Sequence, residues 1–190
     1  HQSVLDVAVA GEHRSAKNKA RDDYRHPQQT LEFFGFKPNM TVVEMAPGGG
    51  WYTEILAPAL KANGKFYGAH YPNTGKDDYY SKSRKRLEDK MASNEVFSKV
   101  ELTNFMPKVA SDIAPAGTAD MVLTFRNLHN WGEDGVSQVF KDAFKAWKKG
   151  GCKYYSITNK KSYSILDVAK LFGSKIRFFP ARKGERFASA

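Results

Sequence analysis

A chain of 190 residues with 41% hydrophobic and 13% aromatic side chains is long enough for one domain with a real core and too apolar for intrinsic disorder. The net charge of +10 is uneven: residues 1–140 carry 17 basic and 17 acidic side chains, whereas residues 141–190 carry 13 basic ones against Asp142, Asp167 and Glu185. The single cysteine, Cys152, excludes an internal disulfide and a cysteine-cluster metal site, and no apolar run approaches the ~20 residues that cross a bilayer.

In chain order, residues 1–26 are polar, with a weak apolar stripe at Val4, Leu5, Val7 and Val9 that predicts a helical lead-in over the core. Pro27 suits the first position of a helix that buries Leu31 and Phe34 and is capped by Gly35. Thr41 to Met45 is a short apolar run and reads as a buried strand. The glycines Gly48, Gly49 and Gly50 follow, and then Tyr52, Ile55, Leu56, Ala59 and Leu60 recur at helical spacing. Pro58 is expected to kink or shorten that helix, and Asn63-Gly64 to close it. Strand, glycine turn and helix together bring bare backbone close to a nucleotide cofactor, because a side chain at the turn would block the ligand.

Lys65 to His70 reads as a second strand, residues 71–81 as a polar loop, and Lys82 to Met91 as a charged, exposed helix. Lys99 to Thr103 and Ala119 to Phe125 are further strands, the latter buried. Val136, Val139, Phe140, Ala143 and Trp147 mark an amphipathic helix with Glu133 and Asp134 at its start and Lys145, Lys148 and Lys149 at its end, as the helix dipole favours. Gly150-Gly151 ends it, and Lys153 to Thr158 is another strand. This alternation predicts an α/β domain with a mostly parallel sheet and helices on both faces. The tail adds a helix through Ile165, Val168, Ala169 and Phe172, opened by the Ser164–Asp167 capping pattern, and a strand from Ile176 to Phe179. Its basic excess reads as a solvated lysine-rich face; a nucleic-acid footprint is the less favoured alternative.

The pattern Glu44-x-Ala46-x-Gly48-x-Gly50 resembles the first motif of class I S-adenosylmethionine (SAM)-dependent methyltransferases, with alanine in place of the first glycine. Together with Arg21-Asp-Asp-Tyr-Arg-His-Pro27, Pro47-Gly-Gly-Gly-Trp-Tyr-Thr-Glu-Ile-Leu-Ala-Pro58 and Phe125-Arg-Asn-Leu-His-Asn-Trp131, it makes residues 13–155 similar to a family of predicted bacterial methyltransferases. The tail around 164–186, with Pro180-Ala-Arg-Lys-Gly-Glu185, resembles instead the end of NAD-dependent sugar-nucleotide epimerases, although their Rossmann fingerprint is absent. The resemblance implies a single Rossmann-like domain: a helical lead-in at 1–40, a core at 41–160 and a basic tail at 161–190. Too few residues follow Phe179 for the long hairpin strand usual in class I methyltransferases, so the sheet has room to be incomplete at its C-terminal edge.

The resemblance further implies SAM as cofactor and a small-molecule methyl acceptor. The cofactor would lie against Glu44, Ala46, Gly48, Gly49 and Gly50, beside Trp51 and Tyr52. His70 stands where an acidic residue usually holds the ribose; Asp77 or Asp78 are the nearby substitutes. Arg126, Asn127, His129 and Trp131 occupy the loop where such folds meet the acceptor. His129 is the candidate general base or a loop-holding histidine. Arg126 is an anion-binding group or a structural ion-pair partner, and Trp131 is a wall of the cofactor site or a core aromatic. Arg21, Tyr24, Arg25 and His26 form either a lid over the cofactor mouth or an exposed polar helix. The five histidines show no metal-ligand spacing, and nothing indicates an oligomeric state. SAM use points to the cytoplasm, whereas a start at His1 is compatible with a removed leader and the periplasm. The readings that compete with an active enzyme are a SAM-binding protein without catalysis and a basic RNA-interacting protein.

Overall fold

The computed structural model describes residues 2–148. The lead-in is three short helices: α1 (Val4–Ala10), α2 (Ala16–Lys19) and α3 (Asp22–Arg25). A reciprocal capping box opens α1, with Asp6 N–H donating to Ser3 Oγ and Ser3 N–H to Asp6 Oδ2. Pro27 begins α4 (Pro27–Phe33), where a missing N–H costs nothing, and Gly35 follows its end at a positive φ of 77°.

The sheet comprises β1 (Thr41–Met45), β2 (Lys65–His70), β3 (Val100–Asn104) and β4 (Met121–Leu123), all parallel, in the order β3-β2-β1-β4. Between them run α5 (Thr53–Leu60) and α6 (Tyr79–Ala92), and α7 (Gly132–Ala146) follows β4. In register, Glu44 of β1 stands between Gly68 of β2 and Leu123 of β4. Side-chain alternation then divides the core in two. Val42, Phe66 and Leu123 pack with Leu5 of α1, Leu31 of α4 and Ile55 and Leu56 of α5. Val43, Met45, Tyr67 and Ala69 pack on the other side with Phe105, Trp131, and Val139 and Ala146 of α7. Both faces of the sheet are covered by helices, the arrangement that a fully parallel sheet requires.

The helix α5 runs through Pro58 to Leu60. Proline lacks the N–H that would bond the carbonyl four residues back, and that carbonyl, Glu54 O, is taken instead by His13 Nε2 at 2.7 Å. Two expectations need correction. The fourth strand is shorter than Ala119–Phe125 and only partly buried: β1 pairs it on one side, Ala119 bridges to Trp147, and Phe125 leaves the sheet to stack on Tyr52. The helix after β2 starts three residues before Lys82, because the Asp78 carboxylate accepts from Ser81 N–H and caps it. That helix is also not fully exposed, since Ser81, Ser83, Arg84 and Leu87 face inward. The predicted elements from Gly150 onward lie outside the described residues.

Candidate functional site

β2 and β3 extend the sheet from one side of β1, and β4 from the other, so the strand order reverses at β1. Ligands of open parallel sheets bind at such a reversal, beyond the carboxyl ends of the strands. The segment Ala46–Gly50 lies there. Ala46, Gly48 and Gly50 all have positive φ (52°, 58° and 78°), so the backbone alternates in and out of the left-handed region across the turn. Such alternation points successive backbone groups toward a common side. At Gly48 and Gly49 an added Cβ would meet no atom within 4 Å, whereas at Gly50 it would come 3.0 Å from Leu87 Cδ1 of α6. Gly50 is therefore packed against the protein, and Gly48 and Gly49 border open space. The Gly50 N–H closes the turn on Pro47 O at 2.9 Å.

The turn is held from three directions. Ala46 N–H donates to Ala69 O at 2.8 Å, continuing the β1–β2 ladder. From the β4 side, the Asn127 amide donates to Ala46 O at 3.2 Å and to Thr124 Oγ1 at 2.9 Å, and Thr124 Oγ1 donates to Met45 O at 3.0 Å. From α6, Lys90 Nζ donates to Gly49 O at 2.7 Å and pairs with Glu54 Oε1 at 2.5 Å. Sequence reading gave Lys90 and Thr124 no role, since only the fold brings them to the turn.

Glu44 points into the α5 side of the core, where its Oε2 accepts from Thr53 Oγ1 at 2.7 Å. It is 4% exposed, and burial raises its pKa to about 7 against the opposing Thr53 hydrogen bond. Its carboxyl thus fixes the start of α5. His70 is fully buried at the end of β2. Its Nδ1 lies 3.4 Å from Tyr71 O and its Nε2 3.3 Å from Ser83 Oγ, and burial pulls its pKa down, so the ring is neutral. Asp78 serves as the α6 cap and Asp77 pairs with Lys82 at 2.5 Å. Trp131 is 4% exposed and meets Phe105 edge-on at 5.3 Å, within the core on the α7 side. Arg126 is exposed with a φ of 61°, a strained conformation for a non-glycine residue. His129 is exposed on the 3-10 turn Leu128–Asn130, with no hydrogen bond or ion pair to the described residues.

Trp51 and Tyr52 are buried beside the turn. Trp51 donates its indole N–H to Asn18 O at 3.0 Å and carries the Arg25 guanidinium 4.8 Å above its ring. Tyr52 stacks on Phe125 at 3.7 Å between centroids. The lead-in helices therefore dock on the glycine turn and do not stand free of it. A depression of about 420 Å³ opens where β2 and β3 end, lined by Pro72, Asn104, Phe105, Met106 and residues 109–112. No local motif marks its β3 side; the usable signal is position alone, since Asn104 ends a strand parallel to β2.

The solved structures include chains of similar fold. A SAM-dependent methyltransferase from Aquifex aeolicus superposes with a TM-score of 0.53 at 19% identity, covering 83% of this chain and 85% of that one. The chain has the Rossmann-like fold of class I methyltransferases. A cyclopropane-fatty-acyl-phospholipid synthase-like protein from Lactobacillus casei ATCC 334 matches at a TM-score of 0.49 and 18% identity, over 74% of this chain and 53% of its own length. No family model and no curated protein matches the chain. Among the described residues no helix is long and apolar enough to cross a membrane, and no three His, Cys, Asp or Glu side chains converge as a metal site requires.

Proposed function

We propose that the chain is a SAM-dependent methyltransferase acting on a small acceptor. The observation that carries this reading is the open space at Gly48 and Gly49, on a left-handed turn at the reversal point of a methyltransferase-type sheet. Bare backbone there leaves room for the methionyl and ribose parts of SAM, and the adenine is assigned to the depression beyond the carboxyl ends of β2 and β3, the end of the sheet at which the turn also lies. When bound, SAM supplies an electrophilic methyl group for in-line displacement by the acceptor.

The chain's own residues position the reactants, a contribution that accounts for much of such catalysis. Asn127 and Lys90 hold the turn rigid at Ala46 O and Gly49 O. Glu44 holds the first residue of α5 through Thr53 and so fixes where the turn ends. His70 offers the ribose no bidentate acceptor, because its two ring nitrogens face Tyr71 O and Ser83 Oγ; Asn104, its register partner on β3, is an exposed polar side chain at the adjacent strand end, with its Oδ1 accepting from Arg84 Nη1 at 3.3 Å. His129 is available to solvent and to an acceptor, and takes the proton of a hydroxyl or amine nucleophile. Isothermal titration with SAM and with S-adenosylhomocysteine, using NAD as a control, tests the reading. Micromolar binding of the SAM ligands alone supports it; a folded chain that binds neither rules it out.

A further inference from the structure

The hydrogen bonds beyond the β1–β4 ladder run in one forced direction and end on Asn127. The ladder itself stops at Glu44 and Leu123. Past it, Thr124 Oγ1 donates to Met45 O at 3.0 Å, and Asn127 Nδ2 reaches Thr124 Oγ1 at 2.9 Å and Ala46 O at 3.2 Å. A carbonyl only accepts, so Thr124 spends its single hydrogen on Met45 O and is left as an acceptor. Ala46 O and Thr124 Oγ1 therefore both require a donor, and the Asn127 amide must face them with its nitrogen. Both amide hydrogens are then used. Oδ1, on the same carbon, is an acceptor to which no described residue donates. It is open to solvent, since Asn127 is only half-buried and Oδ1 is not sealed in the interior. Ala46 and Asn127 lie beyond the carboxyl ends of β1 and β4, where open parallel sheets take their ligands. Arg126, immediately before, holds a φ of 61°. Strain of that kind persists where neighbouring contacts over-determine it, as the two bonds of Asn127 do, and it gathers at functional sites.

We propose that Asn127 Oδ1 accepts a hydrogen bond from the nitrogen that is methylated, and that the methyl acceptor is a primary amine. This rests on the methyltransferase reading. A neutral amide oxygen accepts a hydrogen bond but does not take a proton. A hydroxyl has one hydrogen, which must go to a base in the reaction, so it has none to leave on Oδ1. A primary amine gives one N–H to Oδ1 and keeps a second for a base, with its lone pair aimed at the methyl carbon. His129 stands two residues on, in the 3-10 turn that Asn127 opens and closes through Asn130 N–H to Asn127 O at 2.8 Å. In the transfer the nitrogen lone pair forms the bond to the methyl carbon. The carbon–sulfur bond breaks with its electrons on sulfur, and the surplus proton leaves nitrogen for His129 or water.

The test is calorimetric titration of the full chain with S-adenosylhomocysteine and with sinefungin, the analogue that carries an amino group where SAM carries the transferable methyl. The wild type is expected to bind sinefungin more tightly. In Asn127→Ala, sinefungin affinity should fall about tenfold further than S-adenosylhomocysteine affinity. Thr124→Val loosens the same loop but keeps Oδ1, and should weaken both ligands by the same factor. Melting curves show whether the variants fold, and Asn127→Ser supplies the same readout if the alanine variant does not. The ratio of the two affinities cancels any damage to the turn that both ligands feel. A ratio unchanged in Asn127→Ala assigns the amide to the turn alone and overturns the proposal. So does a ratio that falls equally in Thr124→Val. A folded wild type that binds neither ligand removes the methyltransferase reading and the amine assignment with it, whereas binding of both with an unchanged ratio removes the amine assignment alone.

Discussion

His13 Nε2–H donates at 2.7 Å to the Glu54 carbonyl, which Pro58 leaves without its helical donor. Gly11 leaves room for the ring, since a Cβ there would stand 2.3 Å from His13 Cε1. A proline inside α5 is tolerated because a residue from the lead-in satisfies the orphaned group, and the same bond pins the lead-in to the helix that follows the glycine turn. His13→Ala is therefore expected to cost about 1–3 kcal/mol, the usual penalty for an unsatisfied buried acceptor. In a Pro58→Ala background, where residue 58 supplies its own N–H, His13→Ala should cost distinctly less. Urea unfolding of the four proteins in this double-mutant cycle measures the coupling. Strictly additive costs would show that His13 does not compensate for Pro58.

Glu44 carries a second prediction, with a defined pH window. Its folded pKa of about 7 lies above the ordinary value of 4.5. Between those values the unfolded chain gives up the proton while the folded chain keeps it. The folded state then binds more protons, and this group's contribution to stability is full below pH 4.5 and lost as pH rises through 7. Glu44→Gln keeps an oxygen for the Thr53 hydroxyl and cannot ionise. The variant should match the wild type in acid and gain on it by about 1.4 kcal/mol per pH unit across the window. Denaturant midpoints of both proteins over that range check the slope. Parallel curves would mean that the carboxyl ionises freely in the fold.

The parts of this fold that were legible in the sequence are those set by local pattern. The two valines of β1, the glycines after it and the Ile55–Leu60 spacing mark a strand, turn and helix wherever they occur. The partners of polar side chains were not legible, because register and docking choose them. Alternation on β1 sends Glu44 toward Thr53, and the pairing of β1 with β4 brings Asn127 to Ala46 O. The short fourth strand was hidden for a similar reason. Phe125 looks like strand in an apolar run, yet its ring finds a better partner in Tyr52.

Glu54 gives a third prediction. Its buried carboxylate accepts from Asn18 Nδ2 at 2.9 Å, pairs with Lys90 at 2.5 Å and lies 3.7 Å from Arg14 Nε, whose side chain is fully buried. Glu54→Ala leaves Arg14 with Asp22 as its remaining acid and leaves Lys90 with Gly49 O as its remaining partner. Removing one partner of a buried charge cluster costs about 3–5 kcal/mol, and salt should barely change the loss, because screening acts weakly on buried pairs. Guanidinium chloride cannot separate these effects, so urea unfolding at low and high sodium chloride is the measurement. A loss under 1 kcal/mol, or one that vanishes with salt, would identify the cluster as an ordinary surface network.

The glycine turn separates folding from ligand binding at adjacent residues. Gly49 has no positive φ and no atom within 4 Å of where a Cβ would stand, so Gly49→Ala should fold with a melting temperature close to that of the wild type. Gly50 sits at a φ of 78° with Leu87 Cδ1 3.0 Å from its virtual Cβ, so Gly50→Ala must strain the backbone and push on α6. That strain costs about 1–2 kcal/mol before any clash is counted. If the space at Gly49 is where the cofactor's backbone-facing edge lies, the methyl group of Gly49→Ala occupies it, and S-adenosylhomocysteine affinity falls at least about tenfold while stability holds. Calorimetry on the two variants gives opposite signatures: lost binding with intact stability at Gly49, and lowered stability at Gly50. Unchanged affinity in Gly49→Ala would place the ligand elsewhere along the sheet and leave the turn a purely structural link between β1 and α5.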